Sequence, residues 1–161
     1  MELEFDSRGN LKPYNKIAID IDDFVRFFVQ KISQSSTRNA IFKAYKNFIN
    51  DFSLTITPHF THWINGSFVT QKLNPNDIDF VIFIDYDLFL AKKDEINTFF
   101  AINEQNKNTF LDIYFLIQFP ENHKDAFKSA SDYAYWFEWF TKTATNRNKQ
   151  RFSKGFIEIK I

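Results

Sequence analysis

Residues 77–84 read Asp-Ile-Asp-Phe-Val-Ile-Phe-Ile, and the alternation within this stretch decides the fold class. Successive side chains of a β-strand point to opposite faces, so Ile78, Phe80, Ile82 and Ile84 share one apolar face while Asp77 and Asp79 project together from the other. Upstream, 59–64 reads as another strand and Asn65-Gly66-Ser67 as a tight break. Downstream, 110–119 reads as a third strand whose Leu111, Ile113, Phe115 and Ile117 make a matching apolar face, and 157–161 (Ile-Glu-Ile-Lys-Ile) alternates as a last one.

Helical spacing fills the remainder. Phe24, Phe27, Phe28 and Ile32 mark a helix over 20–31, and Ser36 or Thr37 is positioned to cap a second helix carrying Ile41, Ala44, Tyr45, Phe48, Ile49 and Phe52. A helix is expected over 88–100, with Asp87 as its N-cap, and an aromatic-rich one over 125–142 with Tyr133, Trp136, Phe137 and Phe140. Residues 1–19 carry turn clusters and read as an irregular arm with one short strand. No repeat and no linker interrupts the series, so the reading is a single α+β domain over 1–161: N-terminal helices at 20–52, a core at 59–118, and a C-terminal helix and strand at 124–161.

Composition narrows the function. The 161 residues hold 20 basic and 20 acidic side chains, 44% hydrophobic residues and no cysteine. That balance excludes a disordered chain and broad non-specific duplex binding, and the absence of thiols excludes disulfide frameworks and thiolate chemistry. No apolar run reaches the roughly 20 residues of a membrane helix, and the start lacks signal-peptide character, so a cytoplasmic, membrane-free setting is expected. The 22 Phe point to a core built from rings, and with only 3 Gly each one marks a backbone position with special demands.

The chemistry concentrates around Gly66. Two carboxylates on one strand face repel unless a proton or cation intervenes, and hard oxygen donors suit Mg²⁺ or Mn²⁺. If the third strand lies beside the second with apolar faces matched, Asp112 joins Asp77 and Asp79. Such a cluster can hold the two metal ions of an in-line phosphoryl or nucleotidyl displacement. Ser67 and the amides after Gly66 are positioned to bind phosphate oxygens at the start of a helical turn. In the basic tail, Arg147, Arg151 and Lys154 are candidates for phosphate contact. His59, His62 and His123 lack ligand spacing, and His62 reads as a packed core residue. Trp63, Tyr135, Trp136 and Trp139 could stack a nucleobase but read as core.

Gly66-Ser67, a nine-residue gap, Asp77-Ile78-Asp79 and the later Asp112 resemble the active-site pattern of the DNA-polymerase-β-like nucleotidyltransferase superfamily, especially its minimal bacterial members. The resemblance spans about 59–118. It implies a small mixed β-sheet with helices packed on one side. It also implies that Gly66 and Ser67 hold a triphosphate, that Asp77 and Asp79 bind the metals, and that Asp112 completes the metal site and helps activate the acceptor hydroxyl. Phe68 follows the Gly-Ser pair, and Lys72 is the nearest cation for the phosphates. The implied enzyme moves an NMP from an NTP, with ATP the expected donor, to a hydroxyl on a protein or RNA. A place in a toxin–antitoxin or phage-defence pair, with a cognate partner protein, follows by the same analogy.

Two other readings use the same residues. A nucleotidyltransferase-fold module could bind a nucleotide or partner protein without catalysis, although binding alone gives no reason for three mutually repelling acids. A metal-dependent nuclease would use the acids with water as attacker and leave the Gly-Ser turn without a purpose. Serine-hydrolase and P-loop chemistry lack their glycine motifs.

Overall fold

The computed structural model describes residues 2–105 and 109–161; Met1 and residues 106–108, the latter within the 59–118 core of the sequence reading, lie outside them. Its elements are β1 (Glu4–Phe5), β2 (Leu11–Lys12), β3 (Lys16–Ala18), α1 (Ile21–Phe28), α2 (Arg38–Thr55), β4 (Thr61–Asn65), β5 (Ile78–Asp85), α3 (Tyr86–Ala91), α4 (Lys93–Gln105), β6 (Leu111–Gln118), α5 (Ala126–Phe140) and β7 (Phe156–Lys160). Five strands form one mixed sheet in the order β3-β7-β4-β5-β6, while β1 and β2 pair as a separate hairpin. The outer pairs β3·β7 and β5·β6 are parallel and the inner ones antiparallel. The α+β expectation therefore stands, and the N-terminal arm is more ordered than its turn clusters suggest.

Packing on one side only was the wrong expectation: helices cover both faces. Phe24, Phe27 and Phe28 of α1, the Ile41, Tyr45, Phe48, Ile49 and Phe52 stripe of α2, and Ile96 of α4 pack with Ile64, Ile78, Phe80, Ile82, Ile84, Ile157 and Ile159. On the opposite face Trp136, Phe137 and Phe140 of α5 cover Trp63, Val81, Phe83 and Phe156. The reason lies in β5 itself. Between the isoleucines stand Val81 and Phe83, both buried, so the strand is apolar on both faces as a doubly covered strand must be. Only its first and last turns of the alternation, at Asp79 and Asp85, are polar.

Smaller differences have local causes. Thr37 is the N-cap residue of α2, one of the two expected, but its hydroxyl donates to the Pro75 carbonyl at 2.7 Å and the Ser35 Oγ accepts from the amides of Thr37 (3.2 Å) and Arg38 (3.1 Å) in its place. Asp85, not Asp87, is the N-cap residue of α3, and the 88–100 helix is two helices meeting at Lys92.

Two buried polar groups stiffen the helical layer. Arg38 is fully buried yet makes no ion pair among the described residues. Its Nη1 donates to the carbonyls of Phe28 (2.8 Å) and Phe68 (2.6 Å), and its Nη2 to those of Thr70 (2.9 Å) and Lys72 (2.6 Å). One guanidinium thus ties the end of α1 to the segment after Gly66, with its plane 5.0 Å from the Phe68 ring, while burial lowers its pKa to about 10. Tyr45 and His62 form the other pair, phenol oxygen to Nε2 at 2.6 Å, enclosed by Phe24, Phe60 and Phe80. His62 is accordingly a core residue, as read from the sequence, with its pKa driven down to about 3 by burial.

Arg38→Met is expected to lower stability by about 3 kcal/mol or more, since it leaves several buried carbonyls without donors, and a urea titration should show an earlier midpoint. His62 gives a pH test. Its folded pKa lies below the ordinary value of 6.5, so the unfolded chain takes up a proton first as pH falls. Stability is full above about pH 6.5 and declines towards pH 3, by up to about 1.4 kcal/mol per pH unit from this group. His62→Gln should flatten the decline between pH 6 and 4, read as the difference between the two proteins' urea midpoints.

Candidate functional site

The polar end of the sheet is built by register. Asn65 of β4 is paired with Asp79 of β5, and Asp79 with Asp112 of β6, so the three side chains form a row on one face across three adjacent strands. Neighbouring strands lie about 4.8 Å apart, which puts the two carboxylate-bearing backbones within one strand spacing. Asp77, two residues before Asp79, stands at the mouth of β5. The matched-face expectation for β5 and β6 is met residue for residue, from Ile78 opposite Leu111 to Asp85 opposite Gln118.

Asp79 carries the strongest electrostatic signature. Burial, then the charges of Asp77 and Asp112, push its carboxyl up to about 6, against the opposing pull of Lys154. Gly66 lies directly on this group. A Cβ at Gly66 would fall 1.7 Å from Asp79 Oδ2, and the glycine holds φ +77°, a left-handed conformation that L side chains rarely adopt. The residue after β4 is glycine because backbone must pass where the carboxylate stands.

Ser67 opens a single 3-10 turn, Ser67–Val69. Three residues carry no appreciable helix dipole, so the helical-turn argument for anion binding at Ser67 is replaced by individual amides and by cations from the tail. Those cations arrive because the chain after α5 folds back. Lys142 and Ser153 form a bridge, the Lys154 amide donates to the Thr141 carbonyl at 2.9 Å, and Arg151 Nε donates to the Thr143 carbonyl at 3.0 Å. Lys154 is almost fully buried, its Nζ donating to the Gly66 carbonyl at 3.2 Å. Burial brings its pKa down to about 8 although Asp79 pulls it upward. A cavity of about 390 Å³ results, lined by Asn65, Gly66, Ser67, Asp79, Trp139, Lys142, Arg151 and Lys154 among others.

The structure thus brings together Gly66, Ser67, Asp79, Arg151 and Lys154. Asp112 shares the row but lies towards a second depression along β6, where the Tyr114 hydroxyl donates to its Oδ2 at 3.3 Å. Two expected phosphate contacts are not in the cavity. Lys72 is exposed and serves through its backbone, its carbonyl accepting from Arg38, and Arg147 sits exposed in the turn before Arg151. Sequence reasoning missed Asn65 and Lys142. It also placed Tyr135 and Trp139 in the core, whereas both are at least half exposed. The signal for Asn65 was present: a polar residue two before the predicted phosphate serine, at the end of a strand otherwise buried.

Among the described residues, no three His, Asp or Glu side chains converge into a ready-made cation cage. The donor chemistry nevertheless fits a hard divalent cation. Asn65 Oδ1 is buried with no hydrogen-bond partner among the described residues, beside an Asp79 carboxyl destabilised by like charge, and all these donors are oxygens.

Gly66→Ala is expected to lose about 1–2 kcal/mol from the left-handed backbone alone, and more from the clash with Asp79. With Asp79 displaced, Mn²⁺ binding followed by electron paramagnetic resonance should weaken by about tenfold or more, the scale of lost ligand positioning.

No curated protein and no solved structure matches the chain. Residues 3–160 match the family DUF6932, described as a family of unknown function, and the match takes in the sheet, the acids and the returning tail alike. The chain belongs to the DUF6932 family.

Proposed function

We propose that this protein is a Mg²⁺- or Mn²⁺-dependent nucleotidyltransferase that moves an NMP from an NTP, with ATP the expected donor, to a hydroxyl on a protein or RNA. The observation that carries the reading is the in-register row of Asn65, Asp79 and Asp112 with Gly66 packed against the Asp79 carboxylate. Asp77, Asp79 and Asp112 would hold the metal, with Asn65 Oδ1 as a neutral oxygen donor. When bound, the metal supplies charge neutralisation at the phosphates and lowers the pKa of a coordinated hydroxyl.

The chain's own residues divide the remaining work. The triphosphate lies in the cavity beside Gly66 and Ser67 with Lys154 as its counter-charge, while Arg151 and Lys142 stand at the rim. Asp112, at the outer strand, orients the acceptor hydroxyl and takes its proton. The hydroxyl oxygen forms a new bond to the α-phosphorus, the bond from that phosphorus to the bridging oxygen breaks, and pyrophosphate leaves with the electron pair. By resemblance, the setting is a cytoplasmic toxin–antitoxin or phage-defence pair with a cognate protein partner. No helix of the described residues is long and apolar enough to cross a membrane.

One observation favours a second reading, a non-catalytic module of the same fold. Lys154 pulls on Asp79 from inside the cavity and so relieves part of the acid repulsion without any metal. The two readings part on a labelling experiment with cell extract, Mg²⁺ and each α-labelled NTP. The transferase places label on one protein or RNA band with the wild type and none with Asp77→Ala/Asp79→Ala. If no label transfers and the double variant binds nucleotide as well as the wild type, the binding module is the correct description.

A further inference from the structure

Positions four apart on a helix share a stripe, and on α5 that stripe presents Tyr135 and Trp139 to solvent, 60% and 50% exposed. Their rings are parallel within 10° at 6.3 Å between centroids. Trp136 packs edge-on against Tyr135 at 5.8 Å and meets Tyr114 of β6 at 4.7 Å, and the Tyr114 hydroxyl donates to Asp112. At the other end Arg151 lies over Trp139 at 5.0 Å, and Trp139 lines the cavity with Asp79 and Lys154. An unbroken series of rings therefore runs along the candidate site, from its outermost acid to its basic rim.

Two features identify what such a ledge receives. Parallel, exposed rings stack planar bases without regard to sequence, and each stacked base contributes substantially to single-strand binding. Arg151 and Lys142 stand at the same end, cations suited to a phosphate backbone. The base of one bound nucleotide would cover a single ring, whereas here two parallel exposed rings are presented in series, with the half-buried Trp136 packed beside them. A duplex hides its base faces and would leave the ledge uncovered.

We propose that the Tyr135–Trp139 ledge binds single-stranded RNA, stacking its bases while Arg151 and Lys142 hold its phosphates, and so delivers an RNA end to the acids. This rests on the nucleotidyl-transfer reading of the neighbouring site and names its acceptor. The ring of Trp139 joins the strand to the cavity, and Tyr114 marks the far side at Asp112.

The test measures binding rather than chemistry. Full-length protein with Mg²⁺ and no NTP is titrated into a fluorescein-labelled, ten-nucleotide single-stranded RNA of mixed sequence, followed by anisotropy and tryptophan fluorescence. Trp139→Leu and Tyr135→Leu, both surface changes, are each expected to weaken binding by about tenfold, the scale of one lost stacking partner. Phe127→Leu, an equally exposed ring at the start of α5 outside the series, should bind as the wild type does. Wild-type RNA should also be displaced by unlabelled single strand far better than by duplex of the same sequence. The proposal is overturned if the wild type does not bind the strand, if both ledge variants bind as tightly as wild type, or if ATP alone displaces the RNA fully at equal concentration. The two readings fail separately. RNA that binds through the ledge while neither RNA nor protein takes label from any NTP sinks the transferase and keeps the ledge, whereas label on a protein with no RNA binding does the reverse.

Discussion

The contact between the Gly66 backbone and the Asp79 carboxylate sets what the rest of the site can be. Asp79 leaves β5 on the face away from the α1–α2 layer, and β4 must end and turn where that carboxylate stands. Only glycine lets the chain pass. The turn in turn aims the Gly66 carbonyl at Lys154 and places Ser67 on the cavity wall, so the acidic and the basic halves are fixed by one close approach. Moving either half moves both.

That approach is affordable because the sheet around it does not yield. β4, β5 and β7 are buried on both faces, with an aromatic layer of Tyr45, Phe48, Phe52 and Phe80 on one side and Trp63, Phe83, Phe140 and Phe156 on the other. Close-packed rings transmit displacement rather than absorb it. Carboxylates placed in register at the end of such strands keep their spacing even though they repel, and burial, followed by that repulsion, raises the Asp79 pKa to about 6.

What the sequence made legible follows from the range over which each signal acts. Strand positions and the match between β5 and β6 depend on alternation within a few residues, and those expectations agree with the structure, whereas Asp77 lies just before β5 begins. The second layer over the sheet was hidden because Ile78, Phe80, Ile82 and Ile84 satisfied a one-faced pattern by themselves, and Val81 and Phe83 became informative only with α5 set against them. Lys72 was chosen for proximity in sequence, yet its backbone is gathered by Arg38, while Lys154 reaches Gly66 from 88 residues away. Tyr135 and Trp139 were assigned to the core because aromatic content cannot tell an inward stripe from an outward one on the same helix.

Both buried cations near the site donate to carbonyls: Arg38 to four, Lys154 to that of Gly66. Among the described residues no ion pair uses Asp77, Asp79 or Asp112. This arrangement separates two tasks that a salt-bridged site would merge. Backbone carbonyls, which cannot change charge, hold the loops in place, and the carboxylates are left out of salt bridges, the Tyr114 hydroxyl donating to Asp112. A buried acid whose charge is already cancelled gains little from a cation, whereas one held against like charges gains the most. Asp79 stands between these cases, raised by burial and by the charges of Asp77 and Asp112 and pulled back by Lys154.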